Sequence, residues 1–352
     1  MKKTIIILAS LVIVYILVSS VLTKIIYDQS FPRYQRHDDS INASVRYRDV
    51  EEDHPRTLVN FESNGNQLQG YLYPNEEAIG LVVIAHGIGG GADSYMVYTT
   101  WFLEQGWAVF NYDATGSFDS EGDTTKGFPQ SLIDLENALT YVDGNDTINH
   151  LDIVLFGHSW GGYAVVNALH LRDDIKAVVS VAAPSNANDM IVEQASNMMG
   201  VFAATQRPFL SAYQSLLFGN YARYDAVDAM NNSAAHVMII HGVNDTVVRY
   251  DGSAMIARRA HITNPNVTYV TMEQPGKDGH NNLFRSEEAI RYIDEINVEY
   301  RALYDLHDQN IPYAIHQAFY ADVDRFRVQE LDASLMQQIH EFFENALSNE
   351  GT

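Results

Sequence analysis

Between residues 80 and 183 short runs of continuous apolar residues alternate with longer stretches whose apolar positions recur at helical spacing. The runs predict strands at 80–86, 107–112, 151–157 and 175–183, and the stretches between them predict helices at 93–105, 128–143 and 160–172. A strand that is apolar on successive residues buries both faces, as in a parallel sheet covered by helices. Two more strands follow at Ala235 to Ile240 and Asn266 to Met272, with a short helix from about Gly252 to Arg259 between them. Upstream, Arg56 to Phe61 and Gln67 to Tyr73 alternate around Asn64-Gly65-Asn66, which predicts a hairpin. There are no internal repeats and no low-complexity tracts.

Three segments fall outside this alternation. Thr4 to Thr23 is an uncharged apolar stretch preceded by Lys2 and Lys3. Twenty helical residues cover about 30 Å, the hydrocarbon thickness of a bilayer. Residues 1–24 therefore read as a membrane anchor. The leading lysines favour a cytoplasmic N-terminus, with the rest of the chain outside. The alternative is a cleaved signal peptide, for which Val18-Ser19-Ser20 is a tolerable site, leaving a secreted chain. Residues 25–55 are polar and read as a juxtamembrane linker to a domain over 56–352. Residues 184–234, between two predicted core strands, are rich in Met, Phe, Leu and Tyr. Residues 284–330 are charged and helical, with Ile290, Ile293 and Ile296 at near-helical spacing, and read as a surface addition. A final amphipathic helix runs from about Asp332 to Leu347.

Composition narrows the chemistry. Forty-six per cent of the residues are hydrophobic, enough for a large core, and the net charge is −23. So acidic a chain disfavours nucleic acid and polyanionic ligands. With no cysteine there is no disulfide and no thiolate metal site. No His/Asp/Glu group has convincing metal spacing, and Asp119-Ser120-Glu121-Gly122-Asp123 reads as a solvated loop.

Gly157-His158-Ser159-Trp160-Gly161-Gly162 reads G-x-S-x-G between a predicted strand and a predicted helix. That context is the nucleophile elbow, in which a sharp turn lifts a serine hydroxyl clear of the backbone. The alternative is a serine that only caps the helix. A serine hydroxyl needs a base and an orienting acid, which follow it in the order acid then histidine in elbow enzymes. Asp245, after the strand 235–240, and His280, after the strand 266–272, supply them in that order. His241 precedes Asp245 and reads as packing or hydrogen-bonding under its loop. Asp278 reads as a solvated loop carboxylate. The apolar strand Leu81 to Ala85 runs into His86-Gly87-Ile88-Gly89-Gly90-Gly91, a turn able to offer the Ile88 N–H to a developing oxyanion. The N–H of Trp160, after the serine, is the second expected donor. No lysine follows these glycines as a phosphate-binding loop would require.

Taken in order, His86-Gly87-Ile88-Gly89-Gly90, Asp113-Ala114-Thr115-Gly116-Ser117, Gly157-His158-Ser159-Trp160-Gly161, and Asp245 with His280 resemble the serine hydrolases of the α/β-hydrolase superfamily. The resemblance runs from about Arg56 to His280. Within the superfamily the chain looks similar to bacterial monoacylglycerol-lipase-like and serine-aminopeptidase-like enzymes. It implies an α/β fold with a mostly parallel eight-stranded sheet, helices on both faces and a helical cap inserted at 184–234. It also implies a Ser159-Asp245-His280 triad that cleaves a small ester, or in a rival reading a short peptide, through an acyl-enzyme and without a cofactor. A silent membrane-anchored binding protein is the remaining alternative. Phe209 and Phe218, in the expected cap, are the candidate substrate contacts, unless these helices only pack on their own core. The second motif departs from the common D-x-R-G pattern, because no arginine follows Asp113. Whatever that arginine orders in relatives must be ordered differently here.

Overall fold

The computed structural model describes residues 1–348. One eight-stranded sheet organises the chain. In sequence order the strands are β1 (Thr57–Ser63), β2 (Asn66–Tyr73), β3 (Leu81–Ala85), β4 (Ala108–Tyr112), β5 (Ile153–His158), β6 (Ile175–Val181), β7 (His236–Gly242) and β8 (Val267–Met272). In space the order is β1-β2-β4-β3-β5-β6-β7-β8. β2 runs antiparallel to β1 and β4, and every other pairing is parallel. β3, β4 and β5 are buried along nearly their whole length, as their apolar runs require.

Helices α1 (Lys2–Ser30), α2 (Met96–Glu104), α3 (Phe128–Asp143), α4 (Trp160–Asn167), α5 (Ala187–Met199), α6 (Ala203–Phe218), α7 (Ala226–Asn231), α8 (Glu287–Leu306), α9 (Tyr313–Ala321), α10 (Arg325–Val328) and α11 (Ala333–Ser348) complete the described fold. One core, containing Leu132, Leu139, Val165 and Val83, lies under α3 and α4. The other, containing Phe102, Trp107, Phe156 and Phe343, lies under α2 and α11. Chain order turns back between β4 and β5 on either side of β3, so loops diverge at the carboxyl ends of β3 and β5. Open α/β sheets bind ligands at such a crevice.

Some predicted boundaries shift. The helix expected over 160–172 ends at Asn167, whose side chain bonds back to the Tyr163 carbonyl, and continues as a short 3-10 turn. The helix expected near 252–259 is a 3-10 turn at Met255–His261.

Two segments make contacts that the sequence did not announce. Part of the expected linker, residues 25–55, packs on the domain. Pro32 and Tyr34 bridge to Thr124 and Ser117, and Arg33 donates to the carbonyls of Phe118, Ser120 and Gly122. The surface addition at 284–330 also reaches the N-terminal segment. Arg325 donates to the carbonyls of Asn42 and Ser44, and Gln329 accepts the Val45 N–H, so it clasps the N-terminal segment.

Candidate active site

Ser159 follows β5 with φ 53° and ψ −112°, a conformation L-residues rarely adopt. Packing imposes it. A Cβ on Gly157 would lie 2.4 Å from the Gly161 carbonyl oxygen, and one on Gly161 would lie 2.0 Å from that of Ala85. Only glycine lets the turn and the end of β3 approach so closely. The Ser159 N–H is held by the Val181 carbonyl at 2.8 Å.

Asp245 leaves the loop after β7, and His280 the loop after β8. His280 Nε2 lies 2.9 Å from Ser159 Oγ, and its Nδ1 lies 2.8 Å from Asp245 Oδ2. Asp245 Oδ1 accepts the Val247 and Val248 N–H groups at 2.8 and 2.9 Å. Burial opposes the Asp245 charge. Bonds from His241 and His280, with the Val248 N–H, outweigh it and hold the carboxyl well below the usual carboxylate range. His241 sits beneath this acid, with Nε2 2.8 Å from the Val248 carbonyl and 3.3 Å from Asp245 Oδ2. The Asp278 carboxylate accepts from exposed Asn244 at 2.7 Å.

The loop after β3 stands across from Ser159. Ile88 lines the same cavity as Ser159 and His280. Trp160 is the first residue of α4, so its N–H has no intrahelical acceptor. A relay not expected from the sequence braces this loop. The Gly87 N–H donates to Tyr95 Oη, which is 2.8 Å from His158 Nδ1, and His158 Nε2 is 2.9 Å from the His280 carbonyl. His158 thus ties the elbow to both neighbouring loops. Desolvation, then the nearby His280, lowers its pKa to about 4, so it is neutral and donates from one nitrogen. His86 is likewise lowered to about 4 by burial. It joins β3 to the turn after β4 by accepting the Ala114 N–H at 2.9 Å.

The arginine missing after Asp113 has a counterpart from elsewhere in the chain. Arg36, from the N-terminal segment, pairs with Asp93 at 2.5 Å and Asp119 at 2.6 Å. Arg33 gathers the three carbonyls of the same loop. Asp113 itself is buried, accepting from the Ala92 N–H, the Asp119 N–H and Tyr71 Oη.

Ser159 and His280 open into a cavity of about 1280 Å³. Met190, Ile191, Met198 and Leu210 line it from the cap, and Leu22, Ile26 and Tyr27 from α1. Phe209 and Phe218 are outside that lining, which corrects their assignment as substrate contacts. Phe209 turns outward and packs edge-to-face on Tyr15 of α1 at 5.7 Å, and Phe218 is buried in the core. On α6 the residues one turn apart, Ala203, Gln206 and Leu210, share the cavity face, and Phe209 and Phe218 are off it; the sequence showed only that both rings were apolar. No group of three or more His, Cys, Asp or Glu residues able to hold a metal occurs among the described residues.

The family model for serine aminopeptidase, S33, matches residues 76–229, under half of the chain. The uncharacterized protein YfhR of Escherichia coli (strain K12) is 29% identical over 123 residues, 33% of this chain and 43% of that protein. The quorum-quenching protein AidA of Acinetobacter baumannii is 30% identical over 132 residues, 35% of this chain and 42% of that protein. The chain thus spans under half the length of these two relatives. Among solved structures, the Pyrococcus furiosus esterase Pf2001 superposes with a TM-score of 0.52 at 17% identity, covering 77% of this chain and 94% of that one. Sheet order and the superposition on Pf2001 show an α/β-hydrolase fold, and Ser159 lies within the stretch that matches the serine aminopeptidase, S33 model.

Proposed function

We propose that the protein is a serine hydrolase that cleaves carboxylic esters through an acyl-enzyme. The observation that carries this reading is the unbroken relay from Asp245 through His280 to Ser159 Oγ, with both bonds below 3 Å, facing an apolar cavity. His280 Nε2 takes the Ser159 proton as Oγ bonds to the ester carbonyl carbon. The Ile88 and Trp160 N–H groups receive the oxyanion. Asp245 holds the imidazole with its proton on Nδ1 and stabilises the cation. His280 then returns the proton to the departing alcohol. Water, deprotonated by His280, releases the acid by the reverse sequence.

The cavity favours an ester over an aminoacyl substrate. A free α-amino group needs carboxylates near the serine. Glu330 is the one carboxylate among the lining residues, and Ser286 already donates to it. We further propose that α1 anchors the chain with its hydrolase domain outside the cytoplasm. The helix is long and apolar enough to span a membrane or to serve as a signal sequence.

The test is a fluorophosphonate probe and a panel of p-nitrophenyl esters and aminoacyl-p-nitroanilides on the full chain. Wild type is expected to label and to prefer esters of medium to long chains. Ser159→Ala is expected to lose labelling and about 10⁴-fold or more in kcat. Ester turnover that survives in Ser159→Ala overturns the assignment, and preferential cleavage of the anilides favours a peptidase.

A further inference from the structure

The N-terminal helix does more than precede the domain, because it forms one wall of the cavity that holds Ser159. Leu22 and Ile26 face the cavity from α1, opposite Met198, Met199 and Ala203 of the cap. Leu22 belongs to the uncharged stretch of a 29-residue helix whose mean hydropathy over its best window is 2.9. The contact with the cap also runs far down that helix. Lys24, Asp28 and Tyr213 form a polar cluster, with Lys24 Nζ 3.2 Å and Asp28 2.6 Å from the Tyr213 hydroxyl. Such a cluster of charge and tyrosine suits the headgroup level of a bilayer. Below it, Tyr15 packs on Phe209, and its hydroxyl lies 3.5 Å from the Thr205 carbonyl and from the Gln206 amide.

Tyr15 and Lys24 are nine residues apart in one helix, about 14 Å along its axis. One leaflet of hydrocarbon is about 15 Å thick, half of a core of about 30 Å. A cap that touches Tyr15 therefore cannot stay above the membrane if α1 spans it upright. The residues at that end of the cap fit immersion. Met198, Val201 and Phe202 are 84%, 85% and 69% exposed, around the turn between α5 and α6. The nearby charge, Arg207, is paired with Asp189 at 2.6 Å. In water this surface would be an apolar liability beside an apolar helix, whereas in a leaflet both are solvated alike.

We propose that the turn Gly200–Phe202 dips into the outer leaflet beside α1, and that the cavity opens there between α1 and the cap to take the acyl chain of a bilayer lipid ester. This rests on the ester-hydrolase reading above and names the substrate class for the same serine. The acyl chain moves from hydrocarbon into an apolar passage without crossing water, and the ester group arrives last, at Ser159.

The test uses the full chain reconstituted in vesicles of phosphatidylcholine and phosphatidylglycerol. Phe202→Trp should gain fluorescence that is quenched when the phosphatidylcholine carries brominated acyl chains, beyond any quenching of wild type. Val201→Asp with Phe202→Asp should lower turnover of methylumbelliferyl oleate dissolved in the vesicles by about tenfold or more, and leave methylumbelliferyl acetate in water within about twofold. No added quenching, or unchanged oleate turnover in the double variant, overturns the proposal. Quenching reads immersion without reference to turnover, so it decides the question even if the aspartates disturb folding. An unlabelled Ser159 with no acetate turnover would remove the hydrolase reading, and the quenching result would still stand separately.

Discussion

Replacing Asp245 by asparagine changes one atom and should remove most of the activity while leaving the fold. In the native loop Oδ1 accepts two backbone N–H groups, from Val247 and Val248, and an asparagine carbonyl can keep both. The amide nitrogen then occupies the Oδ2 position, 2.8 Å from His280 Nδ1, where it donates instead of accepting. His280 must present a bare Nδ1 to it, so the ring proton moves to Nε2, 2.9 Å from Ser159 Oγ. An imidazole protonated there cannot accept the serine proton. The wrong tautomer costs about 10⁴ in kcat in enzymes that use this relay, which is about 5 kcal/mol of barrier. The stability cost should be far smaller. His241 loses a 3.3 Å contact with the acid but keeps the Val248 carbonyl at 2.8 Å, so about 1–2 kcal/mol is expected. The assay is kcat for p-nitrophenyl butyrate beside a thermal melt, with Asp278→Asn as control. That control should stay within about twofold, because the Asp278 side chain bonds exposed Asn244 and not the triad. Activity of Asp245→Asn within tenfold of wild type, or an equal loss in Asp278→Asn, would refute the reasoning.

Arg33→Ala removes a guanidinium shared by three carbonyls and should destabilise the protein by about 2–4 kcal/mol in urea unfolding. Arg33→Lys should recover less than half of that, since one ammonium cannot span the same three acceptors. His86 binds its proton less readily folded, at about 4 against 6.5, so its contribution is present above pH 6.5 and is lost as pH falls toward 4. His86→Gln keeps an acceptor for the Ala114 N–H and should flatten that loss in melts between pH 7 and 4. Asp113, raised to about 6 by burial, gains stability over the same fall, and comparing wild type with the variant cancels it. A slope unchanged by His86→Gln would mean that His86 does not carry the acid response.

Burial periodicity and steric necessity are local, so the sequence already determined the strands of the sheet, the hairpin before it and the turn around Ser159. Continuous apolar runs at Leu81–Ala85 and Ile153–Phe156 leave no face for water, so strands built from them need cover on both sides. The glycines at 157 and 161 likewise mark a backbone approach that no side chain would survive. The strand-end loops carrying Asp245 and His280 were legible for the same reason, although their meeting at Ser159 needed the parallel order of β5 to β8. What residues 31–55 do was not legible. Arg33 binds backbone carbonyls, which every residue possesses, so no partner residue announces the contact. Arg36 takes over carboxylates far away in sequence. The fates of Phe209 and Phe218 were also undecided. An apolar ring is equally content against a cavity, a core or a neighbouring helix, and only the path of α1 across the cap sent Phe209 to Tyr15. Tertiary structure alone decided which surfaces met, because shape complementarity between distant segments leaves no periodic trace in either of them.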